Sequence, residues 1–308
     1  MVQVEQPFSG IDDGLHDPSG NFYETETFWF SFFVPERALG GWLYTSVRQT
    51  AGVSGGGLWI WDAAAVNPWE IPFYEQFSAL KLPDERGGEK LSFPNGMQVI
   101  QREPLMSYDL NYDDRNRVSV ALHFDAVEPP VPLVSGTPPY PKAHHFDQTG
   151  RVTGRITLDG ERIDVDCYAM RDRSWGPRNE RGYRRVGYCW AANGDTSFLT
   201  YSAPTDDSDD IYAGYLRRDG EIAYLVAGRR RVERDPARNW VTAISLDATD
   251  TLGRELHAEA RATSRMVLPN AAAICICTAL PWTIDGQTVH GEDQDVWPIS
   301  DWRQALTR

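Results

Sequence analysis

Two short stretches of the sequence gather imidazole, carboxylate, guanidinium and indole groups. One is His144-His145-Phe146-Asp147-Gln148, with Gly150 close behind. The other is Tyr168-Ala169-Met170-Arg171-Asp172-Arg173-Ser174-Trp175-Gly176-Pro177-Arg178. A carboxylic acid in an apolar cavity keeps its proton at neutral pH, because desolvation disfavours the anion. Asp172 is the expected proton donor, turned into a pocket by strand alternation while Arg171 and Arg173 point away. His145, oriented by Asp147 or a backbone carbonyl, is the expected base or relay. Tyr168, Trp175 and Trp190 would face a developing carbocation with their π-surfaces, and Arg171 and Arg178 complete the expected substrate contacts. On residue types alone, a structural cluster of ion pairs and hydrogen bonds accounts for the same stretches. Asp172 is then the partner of a buried Arg, and Asp147 or Asp166 is the next carboxylate in line.

These groups need an element that brings them together. Val152, Gly154, Ile156 and Leu158, then Ile163, Val165 and Cys167, alternate with their neighbours at the period of a half-buried strand. Between the two runs stands Asp159-Gly160, the pair a type I′ turn favours because both central residues take positive φ. The predicted hairpin over Arg151–Tyr168 returns Arg171–Asp172 to the level of His145. Asp219-Gly220 joins Ile211–Arg217 to Glu221–Ala227 in the same way, and Asp285-Gly286 and Asn95-Gly96 mark further turns. Glu255–Thr263 alternates again. Helical signals are few: Phe73–Leu80 reads as a short helix, and Asp301–Leu306 as a terminal one capped by Asp301 or Ser300. Strands every 8–14 residues exclude alternating βαβ units. The Pro-rich segments Glu128–Pro132 and Thr137–Pro141 read as rigid non-strand chain, Ala203–Asp210 as a solvated acidic turn, and Arg229–Arg231 as a solvated strand edge.

The 308 residues allow one large domain or two ordinary ones, and 41% hydrophobic content supplies a sizeable core. Thirty Lys and Arg against 44 Asp and Glu leave a formal charge of −14. That sign repels phosphate backbones and anionic lipid heads, so no nucleic-acid partner is expected. Aromatics make up 12% of the chain, which favours β-structure and suits a cavity for a greasy ligand. The longest apolar run, Ala271–Leu280, is half of what a bilayer span needs and reads as a buried strand, so no stable membrane insertion is expected. The opening residues carry neither a basic n-region nor an apolar h-region, and the four Cys (167, 189, 275, 277) form no disulfide framework. The expectation is reduced core thiols in a cytoplasmic protein. Ala51–Gly57 lacks the Lys and hydroxyl of a phosphate loop, and no Gly-x-Ser-x-Gly elbow or His-Glu-x-x-His occurs. Six scattered His offer no metal set at a recognised spacing. No cofactor is expected, and Asp206–Asp210 and Glu292–Asp295 are the first places to look for a cation.

The run from His145 through Gly154, then Asp159-Gly160, then Arg171-Asp172-Arg173-Ser174-Trp175-Gly176-Pro177-Arg178, resembles the carotenoid 1,2-hydratase (hydroxyneurosporene synthase) and AttH-like superfamily. Gly291–Trp297 and the Trp-rich Phe28–Trp61 look similar too. The resemblance implies two lipocalin-like β-barrel domains in tandem, in a group associated with hydration of isoprenoid double bonds and with cyclisation of polyketides and terpenoids. The expected architecture is therefore all-β, with tandem antiparallel barrels at 1–178 and 179–308 and few short helices. The expected function is acid–base catalysis without a cofactor on a hydrophobic, unsaturated small molecule of terpenoid or polyketide type: alkene hydration, its reverse, or protonation-initiated cyclisation. The alternatives are a noncatalytic carrier of a hydrophobic molecule and a pericyclase that works by shape alone.

Overall fold

Three Asp-Gly turns organise the chain as their residue types require. Both residues hold positive φ at Asp159 and Gly160 (50° and 83°), Asp219 and Gly220 (54° and 74°), and Asp285 and Gly286 (51° and 78°). The computed structural model describes residues 7–133, 144–178, 184–206, 208–269 and 272–307. It contains β-structure almost throughout and one short α-helix, as the period-two pattern predicts.

The first sheet has eleven strands. They are β1 (Glu26–Val34), β2 (Leu39–Arg48), β3 (Val53–Trp61), β4 (Phe73–Leu80), β5 (Lys90–Ser92) and β6 (Gln98–Glu103). The chain continues into β7 (Ser107–Asp113), β8 (Val118–Ala126), β9 (Val131–Pro132), β10 (His144–Leu158) and β11 (Glu161–Trp175). Their spatial order is β4-β3-β2-β1-β11-β10-β8-β7-β6-β5, with β9 on β10. The sheet curls into a half-barrel. Phe30 on β1 reaches Tyr108 on β7, 5.8 Å between centroids, although three strands separate them. The concave face is thus a core of Phe28, Phe30, Phe93, Tyr108 and Phe124.

The second sheet has nine strands: β12 (Val186–Ala192), β13 (Thr196–Pro204), β14 (Asp209–Arg218), β15 (Glu221–Arg234) and β16 (Val241–Asp250). They are followed by β17 (Glu255–Arg261), β18 (Ser264–Pro269), β19 (Ala273–Ile284) and β20 (Gln287–Pro298), then α1 (Ile299–Ala305). Pairing of β17 with β19 closes eight of them into a barrel and leaves β18 on the outside of β19. Two lipocalin-like sheets in tandem are the expected architecture. By contacts the chain divides into a unit of Glu5–Ile60 with Pro72–Asn179 and a unit of Trp61–Ile71 with Glu180–Arg308.

Several local expectations are corrected. Phe73–Leu80 is an edge strand, not a helix: its apolar residues fit helical spacing, but pairing with β3 sets Tyr74 against Trp59. The terminal helix begins after Pro298, and Ser300 and Asp301 bond to each other inside its first turn instead of capping it. Val131–Pro132 forms a short strand against Phe146 and Asp147, so the first Pro-rich segment enters the sheet; Thr137–Pro141 lies outside the described residues.

Neither the acidic run Ala203–Asp210 nor the basic run Arg229–Arg231 is wholly solvated, since Asp209 and Arg230 are both buried. Arg230 is fully buried, with Nη2 donating to both Asp293 oxygens at 2.8 Å and Nη1 paired with Asp209. Arg185 bonds Asp209 at 2.7 Å and Asp295 at 3.2 Å, and Arg234 bonds Asp295 at 2.7 Å. Cys189 donates to Asp293 at 2.9 Å. Burial raises the Asp293 carboxyl above its usual range despite Arg230. Burial also opposes ionisation of Asp295, but Arg234, Arg185 and Arg230 outweigh it and hold that group low. The correction has one cause: consecutive strand residues face opposite sides, so Arg230 enters the barrel between two solvent-facing arginines. Phe198, Leu216, Leu246, Leu256, Leu280 and Trp282 belong to the buried apolar cluster of this unit.

Candidate active site

The hairpin sets the register of the site. His145 lies opposite Ser174, and Asp147 directly opposite Asp172, on the β10–β11 pair. Directly opposed residues of an antiparallel pair project to the same face. That face is the convex one, and the three titratable groups meet on it. His145 Nε2 stands 2.9 Å from Asp172 Oδ2 and 3.3 Å from Asp147 Oδ1. The side chains of His145 and Asp147 are 5% and 2% exposed, while that of Asp172 is 16% exposed. Asp172 is therefore the member of the three most open to solvent. The neighbouring strand adds Thr27, whose Oγ1 approaches Asp172 Oδ1 at 3.5 Å and hydrogen-bonds Ser174. On the far edge of β10, Val131 pairs with Asp147 and fixes its backbone.

The same face continues as an aromatic wall. Trp29 on β1 is in register with Asp172 on one side and with Tyr44 on the other. Trp29 meets Trp42 at 5.2 Å between centroids, Trp42 meets Trp59 at 6.1 Å, and Tyr44 and Tyr74 flank Trp59 at 5.8 and 6.3 Å. The Arg178 side chain approaches the Tyr44 phenol closely enough to act on its ionisation. The Arg178 backbone N–H donates to the Tyr23 carbonyl at 2.8 Å, which holds the end of the chain after β11 beside β1. Burial pushes the Tyr44 phenol above its ordinary pKa, Arg178 works against that rise and Asp172 with it.

Arg171, Arg173 and Trp175 lie on the concave face. The alternation is as expected, but both guanidinium groups are buried instead of turned out. Arg171 Nε donates to Gln148 Oε1 at 2.6 Å, its head reaches Asp13 at 3.3 Å, and it lies 4.3 Å from the Tyr108 ring centroid. Arg173 Nη2 pairs with Glu26 at 2.6 Å, and its guanidinium stands 3.8 Å from the Phe28 centroid. Glu26 also accepts from His16 Nδ1 at 3.0 Å and Gln49 at 2.6 Å. Trp175 stacks on His16 and His144 at 4.3 and 5.2 Å. These three residues anchor the N-terminal segment to the sheet.

The remaining expected residues scatter. Tyr168 is on the convex face but four positions from Asp172, about 13 Å at the rise of a strand. Asp166 is exposed and paired with Arg151 at 2.8 Å. Trp190 is buried in β12 of the other unit. Sequence reasoning missed Thr27, Trp29 and Tyr44, because β1 meets β11 across more than 140 residues; the abundance of Trp in Phe28–Trp61 was the available signal. It also missed a metal-ligand set. His145, Asp147 and Asp172 bring one donor atom each within 4.8 Å of one another, the group among the described residues that could hold a cation. Cross-strand register, which sequence spacing does not display, assembles it.

An all-β chain of two tandem lipocalin-like sheets, with a buried imidazole between two carboxylates, defines the class. The chain belongs to the family described as "Domain of unknown function (DUF7064)", whose model matches residues 10–292. No curated protein matches the sequence. Among solved structures, a putative AttH (NE1406) from Nitrosomonas europaea is similar, with a TM-score of 0.62 at 16% identity over 96% of each chain. CghA bound to Sch210972 gives 0.56 at 13% identity over 96% of this chain and 95% of that one. Kievitone hydratase from Nectria haematococca gives 0.53 at 10% identity over 97% and 95%. The shared property is the fold.

Proposed function

We propose that the chain is an enzyme that adds water to, or removes it from, a double bond of a hydrophobic terpenoid or polyketide-like substrate, with no cofactor, by acid–base chemistry at Asp172 and His145. The carrying observation is the single His145 Nε2 within reach of both carboxylates, beside the Trp29–Trp42–Trp59 wall. In hydration the Asp172 O–H breaks as a C–H bond forms, and the indole and phenol faces stabilise the resulting cation. Water adds to the cation and its surplus proton passes to His145, 2.9 Å from the Asp172 carboxylate to which it returns. Asp147 orients the imidazole, and Arg178 binds substrate at the rim. Protonation-initiated cyclisation uses the same donor with an internal nucleophile in place of water. That a protein named a hydratase shares the architecture supports the reading.

A carrier would use a barrel lumen, and the interior of the closed barrel holds an apolar cluster and the Arg230 network. The test is mass spectrometry of the small molecule that co-purifies with the protein, followed by incubation in oxygen-18 water. Formation or loss of a labelled hydroxyl supports the proposal. A ligand that binds equally to wild type and Asp172→Asn and emerges unchanged from both assigns a carrier.

A further inference from the structure

We infer that His145, Asp147 and Asp172 form a binding site for a divalent transition-metal ion of the Zn2+ type, and that an ion seated there switches the acid–base trio off. The site is argued from geometry; only the inhibition rests on the reading of Asp172 and His145 as acid and base. His16, His123 and His257 each lie between two carboxylates, but with a different ring nitrogen on each. His16 sets Nε2 on Asp12 and Nδ1 on Glu26. His123 sets Nδ1 on Asp109 and Nε2 on Asp125, and His257 sets Nδ1 on Asp247 and Nε2 on Glu255. In those three the carboxylates flank opposite edges of the ring, out of reach of one shared ion. At His145 the one atom Nε2 faces both acids, 2.9 Å from Asp172 Oδ2 and 3.3 Å from Asp147 Oδ1.

Zn2+ binds imidazole nitrogen and carboxylate oxygen at about 2.0–2.2 Å, so two donors on one tetrahedral ion stand about 3.3 Å apart. The distances at Nε2 are close to that span, and the three donor atoms lie within 4.8 Å of one another. The charge fits as well. Asp147 and Asp172 are directly opposed across β10 and β11, an arrangement that like charges disfavour, and a divalent ion cancels both. A mixed nitrogen and oxygen set suits Zn2+ better than Ca2+ or Mg2+, which take oxygen ligands. Three protein ligands leave a fourth position for water, and Asp172, the most exposed of the three, opens the cluster to it. The ion needs the Nε2 lone pair, so a proton carried there leaves to solvent as the ion enters. With both atoms on the ion, Asp172 has no proton to give and Nε2 can accept none.

The experiment is calorimetric titration of zinc chloride into the chelator-treated full chain, wild type and Asp172→Asn, each first checked for a cooperative thermal transition. Wild type should bind one equivalent that Asp172→Asn binds at least about tenfold more weakly, since losing a group that merely supports a metal ligand already costs about 10–100-fold. Should that variant not fold, Co2+ in wild type reads the donors directly. Nitrogen and oxygen ligands give visible absorption without the near-ultraviolet charge-transfer band of a cobalt thiolate. That band would put the ion on Cys275 and Cys277, whose sulfurs are 3.6 Å apart, and overturns the site. No binding by wild type, or equal binding by folded Asp172→Asn, overturns it too. In the oxygen-18 assay, saturating Zn2+ should stop labelling and a chelator should restore it; labelling that persists with the site filled overturns the inhibition. Because metal binding is read without turnover, a chain that takes up Zn2+ but never labels a product keeps the site and loses only the acid–base reading.

Discussion

Asp147 and Asp172 face each other directly across the β10–β11 pair, and one imidazole nitrogen, Nε2 of His145, lies within 3.3 Å of both. A single Nε2–H donates along one carboxylate direction at a time, so the two carboxylates share one imidazole donor. Asp172 is the more exposed carboxylate of the two.

Replacing Asp172 by Asn keeps the shape and most hydrogen bonds but removes the transferable proton. Turnover should fall by roughly 10²–10⁴, with melting temperature and ligand affinity close to wild type. Steady-state kinetics beside thermal denaturation checks this. Unfolding of the variant would instead make Asp172 a structural partner.

Within one triplet, neighbouring arginines should behave in opposite ways. Arg230→Ala leaves Asp209, Asp293 and Asp295 buried around a lost guanidinium, which should cost about 3–5 kcal/mol. Arg229, whose side chain is 60% exposed and stands 3.9 Å from Asp210, should matter by no more than about 0.5 kcal/mol when changed to Ala. Urea denaturation of both variants reads the contrast.

Acid should loosen the anchored N-terminal segment. Burial of Glu26 would raise its pKa, but His16 and Arg173 outweigh burial and lower it below the ordinary value. A lowered carboxylate contributes stability that is complete above its unfolded pKa, about 4.3, and is lost as pH falls toward the folded value. Melting temperature should therefore drop below about pH 4.3 more steeply in wild type than in Glu26→Gln, which lacks the titrating group and is less stable at pH 7. Equal acid limbs would contradict this.

The Asp159-Gly160 turn should tolerate Ala poorly. Both positions hold left-handed φ, and Asp159 also accepts from Arg117 Nε at 2.7 Å. The double Ala change should destabilise by roughly 1–3 kcal/mol in chemical denaturation.

The hairpin and the meeting of His145 with Asp172 were legible because a two-residue turn fixes register: once Asp159-Gly160 is placed, every cross-strand pair follows. Alternation also placed Asp172 opposite in sense to Arg171 and Arg173. What alternation cannot reveal is which side of a strand becomes core. Both arginines had the polarity of surface residues, yet the sheet curls around them because Asp13, Gln148 and Glu26 supply partners from distant segments. The same blindness hid Arg230. Trp29 and Tyr44 escaped notice for a different reason, since their place beside Asp172 depends on pairing between strands far apart in sequence. Phe73–Leu80 misled because a short amphipathic run fits two periods, and only its neighbour β3 decides between them.

The opposed burial along β11 makes that strand a partition between two kinds of mutational consequence. Changes at 172 and 174 fall on the face that carries His145 and Asp147, whereas changes at 171, 173 and 175 fall on the anchorage of residues 13–26. A library confined to Asp172, the one partly exposed position of the five, would therefore start from a folded baseline. One that spans 171–175 indiscriminately would spend most of its members on unfolded chains.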